Sequence, residues 1–279
     1  MKNSKGRSTF VSLLGLATDS FFATLFPSDC RLCNAPLDQL SRLPVCGACL
    51  DNLPAIAGPT CATCGERVQS PHARGPEGDM LCGLCRRLEP PYRKARAWGS
   101  YDGNLRGLIH LLKYEQVWPA ARVLGGILAQ VVSGLAPQFG ERSPVLVPVP
   151  LHVVRQKQRG FNQAEVMARA ALEQLSRSPL RGLDLNVTAL CRRHPTPSQT
   201  GLTRHQRRQN VRGAFEVARP EEIAGRDVLL VDDVFTTGAT VAECARVLRR
   251  KGAGQVFVAT VARVMQGEVA RFAPTARQA

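Results

Sequence analysis

Two adjacent acids close an apolar run in the segment VLLVDDVFTTGAT, residues 228–240. Repulsion and desolvation both oppose placing Asp232 and Asp233 at the end of a buried strand, so the pair needs partners that satisfy it. We take residues 228–231 as the strand and TTGAT as a tight turn into a helix, which Gly238 permits. Carboxylates that accept from vicinal hydroxyls, beside a loop that binds phosphate, suit a ribose 5-phosphate. The candidate phosphate loop consists of Thr236, Thr237, Gly238, Ala239 and Thr240.

Two basic segments could complete a polyanion site. The segment VPVPLHVVRQKQRGFNQA places Arg155, Lys157 and Arg159 after an apolar strand and before a helix near Asn162, which suits a pyrophosphate. Residues 192–215 contain six arginines and no acid, and they suit a lid that a polyanion orders. A solvated basic turn and a nucleic-acid-binding arm are the competing interpretations of these two segments. The candidate contacts of the lid are Arg204, Arg207 and Arg208.

Eight of the ten cysteines lie in four C-x-x-C pairs between residues 30 and 85. Each pair places two thiolates on one side of a tetrahedral ion, and a second pair completes the coordination and leaves no open position. The pattern predicts two structural Zn²⁺ sites, whose binding supplies about 10 kcal/mol of folding energy each. Sequential and cross-braced pairings both fit the spacing, and disulfides or a single site are the alternatives. The predicted ligands are Cys30, Cys33, Cys46, Cys49, Cys61, Cys64, Cys82 and Cys85.

The composition indicates a polyanionic partner. The chain has 279 residues, a formal net charge of +15 and a sequence pI near 10, which favour nucleic acid or a phosphate-rich small molecule over a merely basic surface. Basic residues before FVSLLGLATDSFFATLF resemble the start of a signal peptide, but Asp19 interrupts the apolar stretch and no A-x-A site follows. We expect a docking helix over 1–28, no transmembrane segment and, with zinc thiolates, a cytoplasmic protein.

Strands alternate with helices after residue 92, which predicts an α/β domain with a parallel sheet and helices on both faces. The expected domains are the docking helix 1–28, a double zinc ribbon over 29–88, the α/β domain over 92–265 and a flexible tail over 266–279. In such sheets ligands bind beyond the carboxyl ends of the strands, where the acid pair lies.

The segment VLLVDDVFTTGAT is similar to the phosphoribosyl pyrophosphate (PRPP) fingerprint of type I phosphoribosyltransferases. That resemblance implies that Asp232 and Asp233 hold the ribose hydroxyls, that the loop holds the 5′-phosphate, and that Mg²⁺ accompanies PRPP. If the chain is a transferase, charge assigns catalytic roles to Asp232, Asp233, Arg155, Lys157 and Arg204. Purine-salvage enzymes carry an acid at the position of Thr236, so this departure disfavours hypoxanthine or guanine as the acceptor.

The whole order of motifs resembles the ComF family of competence-associated proteins. The shared features are the four C-x-x-C pairs, LKY at Leu112 to Tyr114, PVP before RGFNQA, the segment ending NVRGAF, and the fingerprint. The resemblance implies a PRPP-binding domain fused to zinc ribbons, linked to DNA uptake, with PRPP and single-stranded DNA or uptake machinery as partners. Three hypotheses stay open: a transferase with an unknown acceptor, a PRPP sensor without turnover, and a single-stranded DNA-handling factor. The acceptor pocket is expected from residues 92–140, with Lys113 as a candidate contact or a surface lysine.

Overall fold

The computed structural model describes residues 28–37, 41–68, 73–75, 78–140, 143–176, 180, 182–195 and 203–265. The predicted docking helix, apart from Ser28, and the predicted tail over 266–279 lie outside the described residues. So do residues 196–202 of the predicted lid and the side chain of Arg204.

Seven α-helices and six strands make up the part of the chain that the structure describes. The helices are α1 Gly47–Asp51, α2 Gly103–Glu115, α3 Ala120–Leu135, α4 Val153–Arg159, α5 Gln163–Leu175, α6 Arg204–Val211 and α7 Ala239–Arg250. The strands are β1 Lys94–Ser100, β2 Val145–Pro148, β3 Leu190–Arg192, β4 Phe215–Val217, β5 Val228–Phe235 and β6 Val256–Arg263. Two short 3-10 turns lie at Ala136–Gln138 and Pro220–Glu222.

The central sheet has four parallel strands in the order β1, β6, β5, β2. Strands β3 and β4 form a separate antiparallel pair. This arrangement confirms the predicted parallel α/β sheet with helices on both faces. Strand β5 is longer than the sequence analysis expected: it continues past residue 231 to Phe235, because Asp232 to Phe235 pair with Thr260 to Arg263 of β6.

The two faces of the sheet are covered by different elements. Helices α2, α3 and α5 pack with Leu229 and Val231 of β5 on one face, and the first cysteine cluster contributes Cys30 and Cys49 to the same core. Helix α7 and the β3–β4 pair cover the other face, where Cys61 and the rest of the second cluster pack. The buried side chains of both cysteine clusters therefore belong to the core of the sheet.

One expected loop is a helix. The segment VVRQKQR, predicted from the sequence as part of a basic loop, forms α4, which begins after His152 and is followed by Gly160 with φ +83°. The His152 Nδ1 atom accepts from the Val154 amide at 3.3 Å, which caps the first turn. At 3.6 residues per turn, Arg155 and Arg159 share one side of α4 and Lys157 does not.

The apolar composition of helix α3 bears on the expectation that the chain has no transmembrane segment. Residues Ala120–Gln138 are long and apolar enough to cross a membrane by length and composition, but more than half of this segment is buried within the protein. Its apolar residues, including Leu124 and Leu128, pack in the core beside the sheet. The burial accounts for the apolar composition of α3.

Candidate functional site

The eight cysteines form two clusters, each from two C-x-x-C pairs that are consecutive in the chain. Within each cluster the four sulfur atoms lie within 4.8 Å of one another. The structure therefore pairs the ribbons sequentially and not in a cross-braced order. The first cluster is Cys30, Cys33, Cys46 and Cys49, and the second is Cys61, Cys64, Cys82 and Cys85.

The sulfur spacing fits a tetrahedral zinc ion. Zn–S bonds of about 2.3 Å require sulfur atoms about 3.8 Å apart. The measured separations are 3.9 Å for Cys30 to Cys49, 3.6 Å for Cys33 to Cys46, and 3.7 Å for Cys64 to Cys82. In both clusters all four cysteines are free thiols, and none of them forms a disulfide. The two clusters are therefore structural zinc sites, as the sequence predicted.

Backbone amides point at the sulfur of Cys30. The amides of Cys46 and Leu32 donate to it at 3.3 and 3.5 Å. Burial acts to raise the pKa of the Cys30 thiol, but these amides outweigh burial and lower the pKa to about 6. This second layer of contacts favours the thiolate, which is the form that binds zinc.

The acid pair lies in the last half of β5, between β6 and β2. Asp233 is 5% exposed, and its carboxylate forms an ion pair with the ammonium group of Lys113 from α2. The other oxygen, Oδ1, accepts from the Val234 amide at 2.8 Å. Asp232 Oδ1 accepts from the Asp233 amide at 2.9 Å. Lys113 is therefore a buried partner of the acid pair, and neither a surface lysine nor a contact placed over the site from outside.

The two carboxyl groups differ in pKa because only one has a cation in contact. Burial raises the pKa of Asp232 well above its usual range, and the adjacent Asp233 charge adds to the rise. Burial also acts to raise the pKa of Asp233, but the Lys113 ammonium outweighs it and holds that pKa low. Asp233 in turn raises the pKa of Lys113 against the effect of burial. Asp232 is thus the carboxyl of the pair that keeps its proton to higher pH.

The loop after β5 has the backbone that a phosphate site requires. Gly238 has φ +77°, a conformation that other residues rarely adopt, and it immediately precedes α7. A Cβ atom at Gly238 would lie 2.6 Å from Cζ of Phe235, so no larger residue fits there. The Thr237 hydroxyl accepts from the Ala239 amide at 3.4 Å. Helix α7 begins here, and the backbone amides of its first turn, together with the helix dipole, favour an anion at this end.

Helix α4 begins five residues after the carboxyl end of β2 and carries three cations. Arg155 is half-buried. Burial lowers the pKa of Arg192, and the nearby positive charge of Arg155 lowers it further. Arg159 donates to Gln163 Oε1 at 2.5 Å and lies 5.5 Å from the ring centroid of Tyr114. Lys157 is exposed. Arg155 and Asp232 thus both lie near Arg192, whereas Arg159 contacts Tyr114 of α2.

The predicted lid over 192–215 begins at the end of strand β3 and ends at the start of β4, and its described middle part is helix α6. Its first turn has a capping box, in which Thr203 and Gln206 each bond to the backbone of the other at 3.3 and 2.9 Å. Arg207 is half-buried and Arg208 is exposed. The base of this segment is fixed to α7, because the Gly213 amide donates to Glu243 Oε1 at 3.0 Å. The structure thus anchors the lid segment at the helix that begins at the phosphate loop.

Sequence reasoning missed several groups around the acids. Arg192 lies near enough to Asp232 and Arg155 for each charge to affect its pKa. On the α2 side, the Tyr101 hydroxyl and His110 Nε2 are 3.0 Å apart, and both groups feel the charges of Lys113 and Asp233. A lysine on the apolar stripe of a buried helix, four residues after Ile109, was the signal that could have identified Lys113 as a buried partner.

Comparison with known proteins agrees with both parts of the structure. A family model described as phosphoribosyl transferase domain matches residues 120–275, more than half of the chain, and one described as double zinc ribbon domain matches residues 21–87. Competence protein F of Haemophilus influenzae is 33% identical over 228 residues, covering 78% of this chain and 96% of that protein. DNA utilization protein YhgH of Escherichia coli K12 is 31% identical over 240 residues, covering 86% and 98%. Competence protein ComFC of Bacillus subtilis is 28% identical over 214 residues, covering 75% and 79%.

The fold and its two kinds of site define a phosphoribosyltransferase-type domain joined to a double zinc ribbon. With relatives that match over nearly their whole length, the chain belongs to the ComF family, whose members here carry competence and DNA-utilization names.

Lys113→Met should destabilise the protein by about 3–5 kcal/mol at neutral pH, because it leaves the Asp233 carboxylate buried without its cation. The double variant Lys113→Met/Asp233→Asn should recover most of this loss, since it removes both charges. The measurement is urea unfolding of the wild type and the two variants. The difference between wild type and Lys113→Met should shrink as pH falls through the lowered pKa of Asp233, where the wild-type pair is also lost. Equal losses in the single and double variants would contradict the ion-pair assignment.

Proposed function

We propose that this protein binds PRPP with Mg²⁺ at the carboxyl end of β5 and transfers the phosphoribosyl group to an acceptor, with release of pyrophosphate. One observation carries the proposal: an acid pair at the end of a buried parallel strand runs directly into a Gly238 loop at the start of α7. In this assignment Asp232 and Asp233 hold the ribose hydroxyls, and residues 236–240 hold the 5′-phosphate. Family membership supports the binding site and leaves the acceptor open.

The donor set suits Mg²⁺. This ion prefers carboxylate oxygens together with substrate phosphates and retained waters. Asp232 would supply the carboxylate, because the oxygens of Asp233 already bond to Lys113 and the Val234 amide, and bound PRPP would supply the phosphates. When bound, Mg²⁺ would neutralise charge on the pyrophosphate.

The cations of α4 and the lid have the charge that the leaving group needs. The bond between the anomeric carbon and the pyrophosphate oxygen breaks, and the pyrophosphate keeps the electron pair. Arg155 and Lys157 stabilise the negative charge that develops on it, and Arg204, Arg207 and Arg208 close over it and exclude water. Arg159, predicted from the sequence as a pyrophosphate contact, is assigned instead to the acceptor side, because it lies over Tyr114 of α2. The nucleophilic atom of the acceptor then bonds to the anomeric carbon and gives up its proton.

The acceptor side is assigned to α2 and the end of β1. Thr236 has no carboxyl group, so another residue must receive the acceptor proton. Burial lowers the pKa of His110, and the nearby Arg106 and Lys113 charges lower it further, so the imidazole is neutral at neutral pH. His110, hydrogen-bonded to Tyr101, is the group that we assign to this role.

Calorimetric titration with PRPP in the presence of Mg²⁺ tests the binding half of this proposal. The wild type should bind at micromolar to submillimolar PRPP, and Asp232→Asn and Asp233→Asn should each weaken binding about tenfold or more, since each removes a charged acceptor. Asp227→Asn is the matched control, an acid just before β5 at the opposite end of the strand. No heat of binding at millimolar ligand would contradict the proposal. Pyrophosphate release during incubation with candidate acceptors separates a transferase from a PRPP sensor.

A second function, single-stranded DNA handling, is favoured by a patch of aromatic and basic side chains. Tyr114 and Trp118 are 66% and 50% exposed, Arg159 lies over Tyr114, and Trp118 packs on Phe161 with ring centroids 4.5 Å apart. Exposed aromatic rings with arginine partners stack on bases, and the net charge of +15 attracts the phosphate backbone. The relatives' names, which refer to competence and DNA utilization, support this second function. We also propose a cytoplasmic location, because thiols that bind zinc stay reduced in that compartment.

Electrophoretic mobility shifts with an oligothymidine strand test this second function. Trp118→Ala should weaken binding by a factor of about 5–100, the value of one base stacked on an aromatic ring. Arg159→Gln should reduce the dependence of affinity on salt, since it removes one phosphate contact. Leu88→Ala is the control, because Leu88 is as exposed as Trp118 but lies in the second ribbon segment. Equal affinities for the wild type and Trp118→Ala would remove this patch from DNA binding.

A further inference from the structure

The second zinc ribbon contacts the sheet through a buried arginine at the end of β6. Arg263 is only 2% exposed. Its guanidinium donates to the backbone oxygen of Cys64 at 2.7 Å and to the Glu66 carboxylate at 2.8 Å. Glu66 is itself 3% exposed, so this is a fully buried ion pair between the zinc knuckle and the sheet. Because the guanidinium group is planar, the two contacts together fix its orientation.

The same guanidinium covers the residue beneath the phosphate loop. Its Cζ atom lies 4.3 Å from the ring centroid of Phe235, the last residue of β5. Tyr92 packs edge-on against the same ring, with centroids 6.3 Å apart. Cys61, Cys64 and Cys82 belong to the same buried cluster as Phe235. The ring of Phe235 therefore lies against Arg263 in the buried cluster that also contains the second zinc ribbon.

Phe235 in turn limits where the loop backbone can lie. Gly238 is so close to the ring that a Cβ atom would approach Cζ to 2.6 Å. Because packed interiors transmit small displacements, a shift of this ring moves Gly238 and the turn that opens α7. A continuous series of contacts thus runs from the second knuckle through Arg263 and Phe235 to the loop.

We propose that the second zinc site positions the phosphate loop, with Arg263 and Phe235 as the positioning residues. Metal binding supplies the folding energy of such a knuckle. Without the folded knuckle, Arg263 loses both buried partners, Phe235 loses its cover, and residues 236–240 lose their fixed conformation. The link to affinity rests on the proposed function, in which this loop binds the 5′-phosphate of PRPP.

The first zinc site provides an internal contrast. It packs on the opposite face of the sheet, against the start of α2, where Asn104 Nδ2 donates to the Cys49 backbone oxygen at 3.1 Å. Leu32 of this ribbon lies against Gly107 of the same helix. The two sites have the same ligands and similar sulfur spacing, so a variant of either site should lose one zinc ion. Only loss of the second zinc site should release the phosphate loop.

The direct test is amide hydrogen exchange of residues 236–240 in the full chain without PRPP. We compare the wild type, Cys85→Ser in the second cluster and Cys33→Ser in the first, with zinc content measured on each sample. Cys85→Ser should lose one zinc and exchange this loop about tenfold faster or more, since local opening becomes easier. Cys33→Ser should lose one zinc and leave the loop at the wild-type rate. Equal loop exchange in Cys85→Ser and the wild type, with one zinc lost, would overturn the proposal.

Metal-replete variants keep the proposal testable if Cys85→Ser does not fold. Phe235→Leu should retain both zinc ions and weaken Mg²⁺–PRPP binding about tenfold or more, because it displaces the loop. Phe257→Leu is the matched control, a buried phenylalanine in the neighbouring strand that packs on Phe139. It should lose similar stability with unchanged affinity. Equal affinities in the two variants would contradict the positioning role.

The conservative variant at Arg263 separates positioning from simple loss of structure. Arg263→Lys keeps one donor for Glu66, whereas Arg263→Met keeps none, so loop exchange should increase from wild type to lysine to methionine. Identical loop exchange in the two variants would argue against positioning by the guanidinium. If the wild type binds no PRPP, the proposed function fails, and the exchange measurements still decide whether the zinc site positions the loop.

Discussion

The buried ion pair between Lys113 and Asp233 is the contact that makes the acid site possible. Two adjacent carboxylates at the end of a buried strand cannot both stay ionised without compensation. Lys113 stabilises one of them, and the other, Asp232, has its pKa raised. Because the folded pKa of Asp232 exceeds its unfolded value, the free protein loses stability as pH rises between those two values. A ligand that satisfies the ionised carboxyl offsets that loss, so the site is suited to binding.

The two zinc ribbons extend this arrangement to both faces of the sheet. The first ribbon packs against α2, the helix that carries Lys113, and the second packs against the strand ends next to the phosphate loop. A sheet of four strands offers few ways to hold residues at its carboxyl edge. The ribbons supply additional buried contacts there, and their energy comes from metal coordination more than from a core of their own.

Most of the fold followed from periodicity and local motifs. The apolar strands, the helices between them and the four C-x-x-C pairs carry their signals within a few residues, and the structure confirmed the parallel sheet and both cysteine clusters. The misjudged parts depend on distant partners. Strand β5 continues through the acids because β6 pairs with it, and Lys113 is buried because Asp233 faces it 120 residues away in the chain. Arg263 and Phe235 had no local signal at all, since their roles come from the second ribbon.

The central claim is that Asp232 and Asp233 are an unequal pair in the free protein, Asp233 ionised with Lys113 and Asp232 protonated, and that PRPP binds when both are ionised. Calorimetry of Mg²⁺–PRPP binding in two buffers of different ionisation enthalpy measures the protons released. The account predicts about one proton released at the acidic end of the accessible pH range, with less release and tighter binding as pH rises. Asp232→Asn should abolish the release. Tight binding with no proton release at any pH would contradict the account.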